Sequence, residues 1–210
     1  MQISYILFDL DDTLYPSSSG LALAFKENIL SFVSDYLKLS VEEAEAVRKV
    51  KRQEYGTTLE WLQKEEGLEN PDSYFEAIHP KDVGRYLKKD PALVELIKRI
   101  PQRTSILTNS PMEHAVRVSE FLEIRHLMEH IFDLRSNSML GKPDWGAYKR
   151  ALDMIRCRPE EVLFVDDMPR YLYAFREMGG HVLLVDESGR HKGTDLDTVT
   201  SIHQIETVLR

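Results

Sequence analysis

Asp9 and Asp11 stand two residues apart in Asp9-Leu10-Asp11-Asp12-Thr13, directly after the apolar run Ile3-Ser4-Tyr5-Ile6-Leu7-Phe8. Strand side chains alternate between faces, so carboxylates two apart at a strand's C-terminal end project into one crevice, where open α/β sheets bind ligands. Two carboxylates held together repel and lose hydration, which a cation or a shared proton must offset. Three further segments carry complementary chemistry: Thr108-Asn109-Ser110, Gly141-Lys142-Pro143 and Asp166-Asp167. Together these types suit phosphoryl transfer. One carboxylate attacks phosphorus to form an aspartyl-phosphate, splitting a hard hydrolysis into two easier steps. A carboxyl two residues on protonates the leaving oxygen and then serves as base for water. Acids on another strand end help hold Mg²⁺, a hard cation that favours oxygen ligands. Thr108 and the amides after it, opening a helix, suit phosphate oxygens, and Lys142 adds fixed positive charge where negative charge must be stabilised.

The elements that must position these residues are legible as alternating runs. Ile3 to Phe8, Thr104 to Leu107 and Val162 to Val165 read as buried parallel strands, with a fourth from His181 to Val185 after Gly179-Gly180. Between them lie helical patterns. Asp90-Pro91 opens one carrying Leu93, Leu96, Ile97 and Ile100. Ser110, Pro111 and Glu113 have capping-box spacing ahead of Val118, Phe121 and Leu122. Trp145, Tyr148, Leu152 and Ile155 form a third stripe, and Leu172, Phe175 and Met178 a fourth. Alternating strands and helices predict an α/β fold with a doubly wound, mostly parallel sheet.

After the first strand the pattern changes. Phe25, Ile29, Phe32 or Val33, and Tyr36 recur at helical spacing, and Ser40-Val41-Glu42-Glu43 restarts a helix with a capping box. The stretch reads as a helical insertion of roughly 70 residues, at the small end for a domain. Leaving the sheet beside Asp9 and Asp11, it has the placement of a lid.

Composition narrows the classes. The chain of 210 residues is 42% hydrophobic and 30% charged, as in soluble globular proteins. With 27 Lys plus Arg against 35 Asp plus Glu, the formal charge of −8 argues against a broad nucleic-acid or anionic-membrane surface, so an anionic ligand needs a local site. One cysteine, Cys157, excludes an intrachain disulfide framework and fits a reducing compartment. The first apolar run is too short for a signal or membrane segment. These features predict a cytoplasmic protein.

In order and type, Asp9-Leu10-Asp11-Asp12-Thr13, Thr108, Lys142 and Asp166-Asp167 resemble the signature motifs of the haloacid dehalogenase superfamily of phosphohydrolases. The resemblance spans nearly the whole chain. It implies a catalytic core of residues 1–15 and 89–210 and a helical cap, of the C1 type, at 16–88. More narrowly, Thr13-Leu14-Tyr15-Pro16, Tyr55-Gly56-Thr57-Thr58-Leu59, His79 and His114-Ala115-Val116-Arg117-Val118 resemble the pyrimidine 5′-nucleotidase-like branch. The resemblance implies Asp9 as nucleophile and Asp11 as general acid and base. It places Mg²⁺ on Asp9, the main-chain carbonyl of Asp11 and Asp166, with Asp167 as direct or water-mediated support. Thr108 and Asn109 would bind phosphate, and Lys142 would steady nucleophile and phosphate. Members of the branch often carry asparagine a few residues after the paired acids, whereas this chain reads Asp166-Asp167-Met168-Pro169-Arg170-Tyr171. Tyr171 therefore bears on the support of the metal shell.

The expected substrate is a small phosphate monoester, first a nucleoside 5′-monophosphate, and the expected assembly a monomer or homodimer. A sugar phosphate or phosphoglycolate, phosphomutase chemistry, and a silent binding module are the alternatives. A dehalogenase has no need of Asp11, because a leaving halide needs no proton. Several residues have second readings. Asp166-Asp167 also suits a helix cap before Pro169, and Asp12 suits a turn. Tyr55-Gly56-Thr57 suits either substrate contact or a turn in which Thr57 caps the next helix. His114 and Arg117 face substrate or solvent. Cys157 reads as inert, and Trp61 and Trp145 as packing residues.

Overall fold

The computed structural model describes residues 3–55 and 57–209. The chain divides into two compact units, Met1–Ser19 with Val83–Arg210, and Gly20–Asp82.

The first unit is built on a six-stranded parallel sheet: β1 (Tyr5–Phe8), β2 (Arg103–Leu107), β3 (Ile131–Phe132), β4 (Val162–Asp166), β5 (His181–Val185) and β6 (Thr198–Val199), in the order β3-β2-β1-β4-β5-β6. This is the α/β doubly wound architecture. The two-residue strands β3 and β6 carry no periodicity of their own and are additions to the sequence reading. The chain leaves β1 for β2 and β3, then returns past β1 to β4, so the strand order reverses between β1 and β4, the place where such sheets open a crevice. Phe8 pairs with Ile106 on one side and Val165 on the other. Continuing that register sets Asp9 level with Asp166.

Helix α5 (Pro91–Arg99) has the expected cap, Asp90 Oδ1 accepting the Leu93 N–H at 3.1 Å. Helices α7 (Trp145–Ile155) and α8 (Pro169–Glu177) press Tyr148, Ala151, Leu152, Ile155, Leu172 and Phe175 onto the face holding Tyr5, Leu7 and Phe164. Trp145 departs from its expected packing role: α7 begins there behind the Asp144 cap, and its side chain is 54% exposed. Helix α6 (Met112–Phe121) also differs from expectation. Its N-terminal Met112 N–H is accepted by Asp133 Oδ2 at 3.1 Å, while the Ser110 hydroxyl is used elsewhere.

The second unit holds α1 (Leu21–Leu37), α2 (Val41–Tyr55), α3 (Thr58–Lys64) and α4 (Pro71–Ile78). The Ser40 capping box forms, with Glu43 Oε2 accepting Ser40 N–H at 2.8 Å and Ser40 Oγ accepting Glu43 N–H at 3.3 Å. Helix α1 buries Leu21, Ala24, Leu30 and Val33; Phe25 and Ile29 are half-buried and Tyr36 is exposed. Packing against both α2 and α4 turns the buried face away from the stripe read by spacing alone. Trp61 is fully buried, and its indole N–H donates to Glu66 Oε1 at 3.2 Å. Among the described residues no helix is long and apolar enough to cross a membrane.

Candidate active site

Lys142 is the hub of the crevice. Its ammonium donates to Asp9 Oδ1 and to Asp166 Oδ2, each at 2.6 Å, with the lysine side chain only 1% exposed. Ligand oxygens of Asp9, Asp166 and Asp167 lie within 4.8 Å of one another, all buried. Burial pushes the Asp9 carboxyl well up; Lys142 opposes this, and Asp166, Asp167 and Asp11 add to it. Asp166 is raised for the same first reason. Burial, then the charges of Asp166 and Asp12, raise Asp167 to about 7 against the pull of Lys142 and Arg190. Burial disfavours the Lys142 charge, but Asp166 and Asp9 outweigh it and hold the ammonium protonated. Three buried carboxylates against one ammonium leave an excess of negative charge, and all the donors are oxygens. That set fits a hard divalent cation such as Mg²⁺.

Asp11 is separate from this cluster. β1 ends at Phe8 and Asp12 takes φ 60, so strict strand alternation does not carry Asp11 into the same group. Its Oδ1 accepts from Tyr15 OH at 2.7 Å and lies 2.7 Å from His114 Nε2, and its Oδ2 accepts from Ser110 Oγ at 2.6 Å. Burial raises this carboxyl, but the His114 charge and the bonds from His114, Ser110 and Tyr15 together hold it below the usual carboxylate range. His114 is therefore neither solvent-facing nor at the surface: it is 0% exposed and bound to Asp11. Arg117 is half-buried one turn along α6.

The loops after β2 and before α7 lock together. Asn109 Oδ1 accepts the Lys142 N–H at 2.7 Å and its Nδ2 donates to the Lys142 carbonyl at 2.9 Å. The Asn109 side chain, expected to bind phosphate, is thus a clamp on the Lys142 main chain. The clamp explains Gly141: a Cβ there would stand 2.8 Å from Asn109 Oδ1 and 3.0 Å from its Cγ. Thr108 is buried, and its Oγ1 accepts the Ser110 N–H at 3.0 Å, leaving the hydroxyl proton to point elsewhere. Asp166 does not cap α8, whose N-cap is Met168 without a side-chain bond; its Oδ1 instead accepts the Met168 N–H at 2.8 Å in the turn just ahead of the helix.

The remaining expected residues lie in the helical unit. Tyr55 ends α2 with Lys51 Nζ 5.7 Å from its ring centroid, and Thr57 caps α3 by accepting Glu60 N–H at 3.1 Å. Gly56 lies outside the described residues. Arg190 is a neighbour the sequence did not announce: its Nη2 is 3.5 Å from Asp167 Oδ2. Asp186, directly after β5, receives the Arg190 and His191 N–H groups at 2.9 Å each and so sets this loop. An acid just past a strand end was the signal for it.

Residues 3–179 match the haloacid dehalogenase-like hydrolase family, and the chain belongs to it. Phosphate metabolism protein 8 of Saccharomyces cerevisiae is 26% identical over 206 residues, which are 91% of this chain and 64% of the yeast protein. The chain thus spans under two thirds of that relative's length. A HAD phosphatase from Thermococcus onnurineus superposes with a TM-score of 0.71 at 14% identity, covering 100% of this chain and 98% of that one. The L-2-haloacid dehalogenase of Xanthobacter autotrophicus superposes at 0.65 and 15% identity, covering 100% and 99%. At those identities the likeness is one of fold.

Proposed function

We propose that this hydrolase is a Mg²⁺-dependent phosphatase that cleaves a small phosphate monoester through an aspartyl-phosphate on Asp9. The observation that carries the reading is the division of the acids into two groups: Asp9, Asp166 and Asp167 around Lys142, and Asp11 apart, held by three donors. A dehalogenase needs a nucleophilic carboxylate but no proton shuttle and no cation. A phosphate ester needs both, because its leaving alkoxide must be protonated and its charge balanced. The names of the yeast relative and the Thermococcus structure point the same way.

Asp9 attacks phosphorus, the ester P–O bond breaks, and the leaving oxygen takes a proton from Asp11. Water then attacks the aspartyl-phosphate, gives its proton to Asp11, and frees phosphate and the Asp9 carboxylate. Tyr15, Ser110 and His114 hold the Asp11 carboxyl in one orientation for both halves of this role. Mg²⁺, held by Asp9 and Asp166 with Asp167 and the Asp11 carbonyl in support, would supply charge neutralisation at the phosphate. Lys142 orients Asp9, and the Thr108 hydroxyl proton suits a phosphate oxygen.

In this reading residues 16–88 form a C1-type cap that excludes water and selects the leaving group. The substrate class we favour is a nucleoside 5′-monophosphate, on the pyrimidine 5′-nucleotidase-like segments. The setting we favour is the cytoplasm, with a small ester rather than a nucleic acid or membrane as partner. A phosphate-release screen over nucleotides, sugar phosphates and phosphoglycolate, with Mg²⁺ and with chelator, tests this. Release from a nucleotide only with Mg²⁺ is expected. Transfer of phosphate to a sugar in place of release would identify a mutase, and binding without turnover a silent module.

A further inference from the structure

Tyr171 occupies the place where the family resemblance leads to asparagine, and its ring lies between two cations, the Lys142 ammonium and the Arg170 guanidinium, whose Cζ is 4.7 Å from the ring centroid. Its ring centroid lies 5.2 Å from Lys142 Nζ, the same distance as the Phe164 ring. Its hydroxyl accepts from Asn109 Nδ2 at 3.4 Å and from Arg170 Nη2 at 2.7 Å. Its main-chain carbonyl accepts from Tyr148 OH at 2.9 Å, which anchors the residue to the core under α7.

A lysine has a flexible four-carbon stem and a compact charge. Two of the three N–H groups of Lys142 go to Asp9 and Asp166, which hold it from neighbouring strand ends. Nothing in those two bonds alone stops the ammonium from settling on one acid when the other changes its charge or its partner. An aromatic face within about 6 Å attracts an ammonium without competing for its protons. Asparagine at the same position offers no such face.

We propose that Tyr171 is a positioning residue: its ring confines the Lys142 ammonium between Asp9 and Asp166, and its hydroxyl braces the Asn109 amide that clamps the Lys142 main chain. This rests on the phosphatase reading above. It assigns to the α8 terminus a task directed at the lysine, carried out through another residue and without touching the reacting atoms.

The test compares Tyr171→Phe, which keeps the ring, with Tyr171→Leu, which removes it, in the full chain. Leu is expected to lower kcat about tenfold, and Phe no more than about threefold, both with KM and thermal midpoint close to wild type. A second readout needs no turnover: the rate at which an amine-acylating reagent labels Lys142 at fixed pH, read by mass spectrometry. Leu is expected to speed labelling of this 1% exposed side chain, and Phe to leave it slow. Equal kcat for the two variants, a loss confined to KM, or equal labelling rates would overturn the proposal. If the wild-type protein hydrolyses no phosphate ester, the phosphatase reading falls and labelling alone decides for or against Tyr171. Tyr171→Gln gives the same contrast with Phe should Leu fail to fold.

Discussion

Asp9 and Asp11 differ by two positions and by almost everything around them. Asp9 sits against an ammonium and two acids, and Asp11 against a phenol, an alcohol and an imidazole. Their substitutions should therefore separate. Asp9→Asn is expected to reduce phosphate release by on the order of 10⁴-fold, as for loss of a nucleophile. Its thermal midpoint should not fall, because the change removes a charge that burial and then the neighbouring acids disfavour, while Lys142 keeps its pair with Asp166. Near-normal turnover in this variant would sink the nucleophile assignment. Asp11→Asn is expected to cost about 10²- to 10⁴-fold on an alkyl phosphate. The loss should be much smaller in the phosphorylation step of p-nitrophenyl phosphate, whose leaving group needs little help from an acid. Equal losses on the two esters in that step would count against the acid role.

At the level of elements, the site is a meeting of ends. β1 and β4 run side by side, so their last residues deliver Asp9 and Asp166 to one level. β2 delivers Thr108 and Asn109, and the Asn109 amide reaches across 33 positions of sequence to hold the loop that presents Lys142. The fit around that amide is close enough to exclude a methyl group at 141. Gly141→Ala should destabilise the chain by about 1–3 kcal/mol, the range for overpacking, and lower kcat by shifting Lys142. Denaturant melts and steady-state rates on the same preparation check both effects. A variant with wild-type stability and rate would show that the clamp yields at no cost.

Over the whole molecule, an overall negative chain concentrates further negative charge in a buried cluster. Burial is the first cause of the raised Asp12, at about 6, and of Asp167, at about 7, and Asp9 and Asp166 are raised too. A carboxyl whose folded pKa lies above its unfolded value keeps its proton longer when folded, so the unfolded state binds fewer protons and stability falls as pH rises. For Asp12 and Asp167 the window runs from about 4 up to about 6 and about 7, and Asp9 and Asp166 act in the same direction. Asp11, shifted down, acts in the opposite sense and only below that window. The metal-free protein should therefore melt at a lower temperature at pH 7.5 than at pH 5. Added Mg²⁺ should raise the midpoint more at the higher pH, because it competes with protons for the same oxygens. Scanning calorimetry at the two pH values, with chelator and with Mg²⁺, reads this directly; a flat profile with no Mg²⁺ response would remove the case for a cation among these acids.

The sequence by itself determined the alternation of strand and helix, the α/β class and the residue types at the strand ends. Contiguous apolar runs and capping residues are local signals; Asp9, Thr108 and Asp166 stand at the ends of such runs, and Lys142 lies in the loop two residues before the Asp144 cap. It left β3 and β6 unseen, since two residues have no period, and it misjudged Trp145, because spacing shows a stripe but not where the stripe leaves its neighbour. Only the tertiary structure decided how the acids divide. His114 and Ser110 reach Asp11 from about a hundred positions away, the Asn109 amide clamps the Lys142 main chain, and Tyr171 brings its ring beside the ammonium. Contacts between residues so far apart in the chain leave no trace in spacing or composition. They exist only once the parallel register has set the strand ends side by side.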